Sequence, residues 1–173
     1  NFYRAFGKLN CITTHIDFFS RTVDLDRIIL NQDIIYVGGG NTKSMLAVWR
    51  DWNLDVVLKK AYNNGIIMSG VSAGAICWFE KGITDSYSNN LEIINCLGFL
   101  KGIACPHFDE EEEREPYVNK LLTEEKIKSC ICIEGYSALH VKGENDFKNI
   151  NFGKSKKCFK LSYENKKILK NLF

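Results

Sequence analysis

A chain of 173 residues has the length of one domain and can bury a continuous core, so a single unit spanning 1–173 is expected. Hydrophobic residues at 45% and charged residues at 25% match an ordinary soluble globular protein and argue against disorder. A net charge of +2 offers no electrostatic footprint for nucleic acid.

No apolar run approaches the roughly 18 to 20 residues of a membrane helix, and no signal-peptide pattern opens the chain. A cytoplasmic protein without a membrane partner is therefore expected. The seven cysteines, Cys11, Cys77, Cys96, Cys105, Cys130, Cys132 and Cys158, are scattered and odd in number. They read as reduced core residues. Cys130 and Cys132 fall on one face of a strand, but no Cys/His cluster at zinc spacing accompanies them, and neither metal nor cofactor is expected.

In chain order, residues 1–9 look like the tail of a helix, and the β-branched run Cys11 to Ile16 reads as a strand. Asp24 to Leu30 starts acidic and turns apolar, as a short helix does. Asp33 to Val37 is a buried strand that runs into Gly38-Gly39-Gly40-Asn41-Thr42. A helix from about Thr42 to Trp52 follows, with Asn41 or Thr42 as its cap, and another spans about Asp55 to Asn63. The turn signal Asn63-Asn64-Gly65 releases the chain into Gly65 to Ala75, G-I-I-M-S-G-V-S-A-G-A.

That stretch begins as a buried strand, turns at Gly70-Val71-Ser72-Ala73-Gly74 and continues as a helix. In such a G-x-S-x-G elbow the flanking glycines admit close backbone approach and leave the serine lifted from the sheet. The same pentapeptide also suits a plain glycine-rich strand-to-helix loop, so its surroundings decide.

Residues 81–90 are polar and read as a loop or hairpin over the site, with Asp85-Ser86 and Asn89-Asn90 as turn material. Leu91 to Leu100 is ambiguous between strand and helix. Gly102 to Cys105 is a short strand ending at Pro106-His107-Phe108-Asp109. The acidic run Asp109 to Glu113 fits the first turn of a helix from Arg114 to about Lys126. Ser129 to Ile133 is a strand, Glu134-Gly135-Tyr136 a turn and Ser137 to Val141 a further strand. Lys157 to Phe173 looks like a strand and a lysine-rich tail.

Strands alternate with helices through the first two thirds, which predicts an α/β fold: a doubly wound, mostly parallel sheet with helices on both faces. Ligands bind such sheets beyond the carboxyl ends of the strands. The glycine turn, Ser72, His107 and Glu134 all fall there.

G-G-G-N-T at 38–42, G-V-S-A-G-A at 70–75, C-P-H-F-D at 105–109 and I-E-G-Y-S-A-L at 133–139 occur in this order in the peptidase E (aspartyl dipeptidase) family. The chain resembles that family over roughly residues 30–143. The resemblance implies a fold similar to class I glutamine amidotransferases and a metal-independent serine peptidase with a Ser-His-Glu triad, of dipeptidase or exopeptidase type. Carried over by motif, Ser72 is the nucleophile, His107 the base and Glu134 the orienting carboxylate, with Asp85 second and Asp109 third for that role. The N–H groups of Gly39 or Gly40 and of Ala73 form the oxyanion hole, with Asn41 beside them at the substrate.

The residue types suit these roles, because a serine hydroxyl needs an adjacent base and the imidazole needs a carboxylate on its other nitrogen. A preference for aspartate needs a cation in the pocket, and Arg114 and Lys81 are candidates. Family members begin with a strand and a helix ahead of the matched region, whereas this chain opens at Asn1-Phe2-Tyr3 without a methionine. A second reading follows: a truncated, catalytically silent relative whose bare sheet edge is covered by a homodimer or another partner.

An α/β-hydrolase order, Ser72, Asp109 and His140, is also available, but His140 sits in an alternating strand where a solvent-facing residue is expected. Glutamine amidotransferase chemistry places cysteine where Ser72 stands.

Overall fold

In the computed structural model, residues 2–21, 24–88, 90–143 and 146–173 are described. Asn1 of the expected first helix and Asn89 of the expected turn lie outside them. A short helix α1 (Phe2–Phe6) is followed by residues 7–21 without helix or strand; α2 (Leu25–Leu30) has as its cap Asp24, which accepts from Arg27 N–H at 3.0 Å. The strand expected over Cys11 to Ile16 is not formed. Extended chain needs a partner strand, and this segment has none among the described residues; Ile12 is fully exposed.

Strand β1 (Ile34–Val37) leads through the glycine turn into α3 (Thr42–Asp51). Asn41 caps this helix, its Oδ1 accepting from Ser44 N–H at 2.9 Å. Helix α4 (Leu54–Asn63) returns the chain to β2 (Ile67–Gly70), which pairs in parallel with β1 from Ile34↔Ile67 to Val37↔Gly70. The helical periodicity of α2, α3 and α4 buries Leu25, Ile29, Leu46, Trp49, Leu54, Val57, Leu58 and Ala61 in one cluster with Ile35 of β1.

Beyond the elbow, the short helix α5 (Ala73–Ile76) feeds β3 (Phe79–Thr84), and β4 (Glu92–Asn95) turns back antiparallel to it. Lys81 to Thr84, expected as loop, thus belongs to a strand. Pairing with a neighbour on each side outweighs the polar local sequence, and Gly82, Ile83 and Thr84 are buried. Then come β5 (Leu100–Cys105), α6 (Arg114–Thr123), β6 (Ser129–Ile133), the hairpin β7 (Ser137–Lys142) and β8 (Asp146–Asn151), and the hairpin β9 (Cys158–Glu164) and β10 (Lys167–Leu172). The lysine-rich tail is therefore a strand. Its turn residues Asn165 and Lys166 both have positive φ, 51° and 61°, as a two-residue hairpin turn requires.

The larger sheet runs β10-β9-β6-β5-β3-β4. β3, β5 and β6 pair in parallel, while β4 pairs antiparallel with β3, β9 with β6 and β10 with β9. The expected α/β fold with helices on both sheet faces is present, as a mixed sheet. Alternating residues separate the two faces. Cys105, Cys130 and Cys132 pack with Val118, Leu121 and Leu122 of α6, whereas Ala104 and Ile131 pack with Ile76 of α5 and with Leu139 and Phe147 of the β7–β8 hairpin.

The chain ends of the parallel strands converge. Thr84, at the end of β3, bonds Thr42 Oγ1 at 3.2 Å, and Ser86 Oγ accepts from Thr42 N–H at 2.8 Å, which ties β3 to the turn after β1. His107 follows the end of the neighbouring β5, and Phe108 N–H donates to Ile133 O at the end of β6.

Two substitutions separate close packing from mere glycine content. A Cβ on Gly74 would lie 2.1 Å from the Val37 carbonyl oxygen, whereas one on Gly38 meets nothing within 4 Å. In urea unfolding Gly74→Ala is expected to lose about 1–3 kcal/mol, while Gly38→Ala stays within about 1 kcal/mol of the parent. In the same assay Leu122→Ala, at a fully buried position under α6, is expected to lose about 2–5 kcal/mol.

Candidate active site

Ser72 joins β2 to α5 with φ 56° and ψ −119°, a conformation that disfavours any residue with a side chain. The elbow holds it there. Added Cβ atoms on Gly70 and Gly74 would lie 2.2 Å from Gly74 O and 2.1 Å from Val37 O, so the turn presses directly on β1 and on itself. Val71 N–H donates to Val37 O at 3.1 Å, and the N–H groups of Ala75 and Ile76 close onto Ser72 O.

Ile76 at the far end of α5 is seated against Gly82, anchoring the helix on the larger sheet. Gly39 lies against the serine: a Cβ there would be 3.2 Å from Ser72 Cβ and 3.7 Å from Oγ. Among the described residues no hydrogen bond is made by the Ser72 hydroxyl or by the N–H groups of Gly39, Gly40 and Ala73. An unengaged hydroxyl and a bed of open donors thus adjoin, an arrangement suited to an oxyanion.

His107 also has a left-handed backbone, φ 51°. Its Nδ1 is 2.6 Å from Glu110 Oε2, and its side chain is 30% exposed. The N–H groups of Glu110 and Glu111 both donate to the His107 carbonyl, at 3.0 and 3.2 Å, and wrap the turn around the ring. Glu110 is seated against Gly135, where a Cβ would come within 2.3 Å of its Oε1. No hydrogen bond joins His107 to Ser72 among the described residues; catalytic hydrogen bonds of this kind commonly tighten only when substrate is bound.

The other expected acids are differently engaged. Glu134 Oε2 accepts from Lys157 N–H at 2.8 Å, so it braces the approach to β9, and the carboxylate on the His107 ring is Glu110 instead. Asp109 accepts from Gly135 N–H at 2.7 Å and pairs with Lys156. Burial works to raise the Asp109 carboxyl, but Lys156 and the bonded N–H groups outweigh it and hold the carboxyl below its ordinary value. Asp85 lines an open groove with Asn41, Lys43, Tyr87 and Glu92 beside the glycine turn.

His140 is exposed on β7 opposite Lys148, in keeping with its strand pattern. Arg114, a candidate substrate cation, is only 2% exposed and is committed to Glu111 and to Ile83 O. Lys81 is exposed in the middle of β3, short of the strand end.

The acidic run therefore does not act as a uniform first helical turn. α6 begins after it, and Asp109, Glu110 and Glu111 each take a different partner. The spacing His107-x-x-Glu110 was the available signal for the pair, hidden because five consecutive acids look interchangeable.

All seven cysteines are unpaired. Burial pushes the Cys96 and Cys105 thiols up to about 12 and Cys77 higher still, so these thiols resist forming thiolates. Cys130 and Cys132 are fully buried in the core under α6.

Residues 1–148 match the sequence profile described as Peptidase family S51. The chain is 38% identical over 161 residues to the Bacillus subtilis (strain 168) protein named "Uncharacterized peptidase YgaJ", covering 92% of this chain and 70% of that protein. In structure it is similar to a peptidase E candidate from Listeria monocytogenes EGD-e, with a TM-score of 0.66 and 19% identity over 87% of this chain and 75% of that one. It is also similar to a peptidase from an acI-B1 Actinobacterium, with a TM-score of 0.58 and 16% identity over 86% and 63%. At those identities the solved structures speak for the fold. The sequence match over most of the chain and the Bacillus relative go further: the chain belongs to peptidase family S51, the peptidase E family of serine-type peptidases.

Proposed function

We propose that the chain hydrolyses short peptides, as a dipeptidase or exopeptidase, through an acyl-enzyme on Ser72. His107 is the base, and Glu110 orients it. The observation that carries this reading is the strained Ser72, its hydroxyl unengaged beside open N–H donors, at the end of β2, with a histidine already paired with a carboxylate following β5, whose neighbour β3 is tied by Thr84 to the turn after β1. Strain of this kind persists only where surroundings enforce it, and it clusters at active sites.

In this mechanism His107 Nε2 takes the hydroxyl proton as Ser72 Oγ attacks the scissile carbonyl. Glu110 on Nδ1 fixes the tautomer and stabilises the imidazolium. The carbonyl oxygen, now anionic, is received by the N–H groups of Gly39 or Gly40 and of Ala73. The imidazolium then gives its proton to the leaving amine, and a water molecule, deprotonated in turn by His107, releases the acid and restores Ser72.

Asn41 stands two residues beyond Gly39 and opens onto the groove that includes Asp85 and Lys43, a polar surface suited to small peptides. With Arg114 committed elsewhere, a preference for an acidic first residue has no support from that side chain. Unpaired thiols throughout favour a reducing compartment such as the cytoplasm. The catalytically silent reading keeps the fold but leaves two strained residues, Ser72 and His107, without a purpose.

Incubation with a fluorophosphonate followed by mass measurement is expected to give one adduct, absent from Ser72→Ala. A folded parent of unchanged mass would favour the silent reading. Glu110→Gln is expected to slow labelling by about 10³- to 10⁴-fold, and Glu134→Gln to leave it close to the parent. The reverse order would return the orienting role to Glu134. Because its buried thiols stay protonated, native protein treated with iodoacetamide is expected to be alkylated at exposed Cys11, with Ser72 labelling unchanged.

A further inference from the structure

We infer that Arg114 is a positioning residue for the base, holding the His107 turn against strand β3, and is not a substrate-binding cation. The inference rests on the reading of His107 as the base of Ser72. Arg114 is the first residue of α6 and its side chain is 3% exposed, a costly place for a charge unless every donor is matched. Its Nε and Nη2 reach Glu111 Oε2 at 2.7 and 2.6 Å, and its Nη1 donates to the Ile83 carbonyl at 3.3 Å.

Each end of this fork meets part of the site. On one side, Glu111 N–H donates to the His107 carbonyl, so fixing Glu111 fixes the turn that keeps His107 at positive φ. Glu110, directly before Glu111, is thereby held with its carboxylate on Nδ1. On the other side, Ile83 precedes Thr84, whose hydroxyl meets Thr42 and Ser86 at the start of α3, directly after the glycine turn.

One guanidinium thus sets the distance between the segment carrying the imidazole and the strand that braces the oxyanion donors. A planar fork can bridge a carboxylate and a carbonyl together, whereas an ammonium on a flexible stem cannot hold both in one geometry. Misplacing a base by about 1 Å is enough to cost roughly 10²-fold in rate.

The test compares the parent with Arg114→Lys, Arg114→Met and Glu111→Gln, each checked for cooperative thermal unfolding. The readouts are the fluorophosphonate labelling rate, and kcat and KM on dipeptides with an acidic or a neutral first residue. The probe carries no acidic side chain, so it does not report on a substrate cation. Arg114→Met is expected to lose about 10²-fold in labelling rate and equally in kcat on both kinds of dipeptide, with KM within about twofold of the parent; Arg114→Lys is expected to recover only part of that loss.

Parent-like labelling with a raised KM for acidic dipeptides alone would overturn the inference and make Arg114 a specificity residue. If Arg114→Met does not fold, Glu111→Gln decides: slowed labelling with Arg114 intact supports the clamp, and parent-like labelling overturns it. A parent that takes no label overturns the serine-peptidase reading itself, an outcome distinct from either.

Discussion

The close approach of the elbow to strand β1 is the constraint on which the remaining site geometry depends. Gly70 and Gly74 leave no room for a side-chain atom beside Val37 and its own turn, and Val71 N–H fastens the same point to Val37 O. With those contacts made, the residue between must bend backwards, and Ser72 takes a positive φ. The strain is offset by packing of the elbow on both sides, with Ile76 seated on Gly82 of the larger sheet and Gly39 against the serine. A hydroxyl held this way has little conformational freedom left.

The second organising device is a division of labour within one acidic run. Five adjacent carboxylates would repel if they shared a face, but the turn after β5 sends them in different directions. Asp109 faces Gly135 N–H and Lys156, Glu110 faces the His107 ring, and Glu111 faces the buried Arg114. These three negative charges thereby each meet a partner of their own, and the loop that carries the histidine is fixed from three sides. Glu134, on the next strand end, contributes by bonding the backbone at Lys157.

Most of the cysteines belong to the core. Cysteines are plentiful, yet Cys77, Cys105, Cys130, Cys132 and Cys158 are buried, and those whose thiols shift do so in the direction that keeps the proton on sulfur. Cys77, Cys105, Cys130 and Cys132 fill space in the core as small apolar residues would.

Hydrophobic period, caps and glycine turns determined much of this protein from the sequence alone. Helices α2, α3 and α4, the cap at Asn41, strands β1, β2, β5 and β6, and the elbow at Ser72 are all local events, set by residues within one turn or one strand of each other. The tertiary structure decided what local pattern cannot encode. Cys11 to Ile16 has strand-like residues but no neighbour to pair with, while Lys81 to Thr84 and the lysine-rich end became strands because neighbours were there. Which of several acids would meet His107, and that Arg114 would turn inward to Glu111, depended on the path of one loop between β5 and α6. A charge's partner is chosen by distance in space, and the sequence records only distance along the chain.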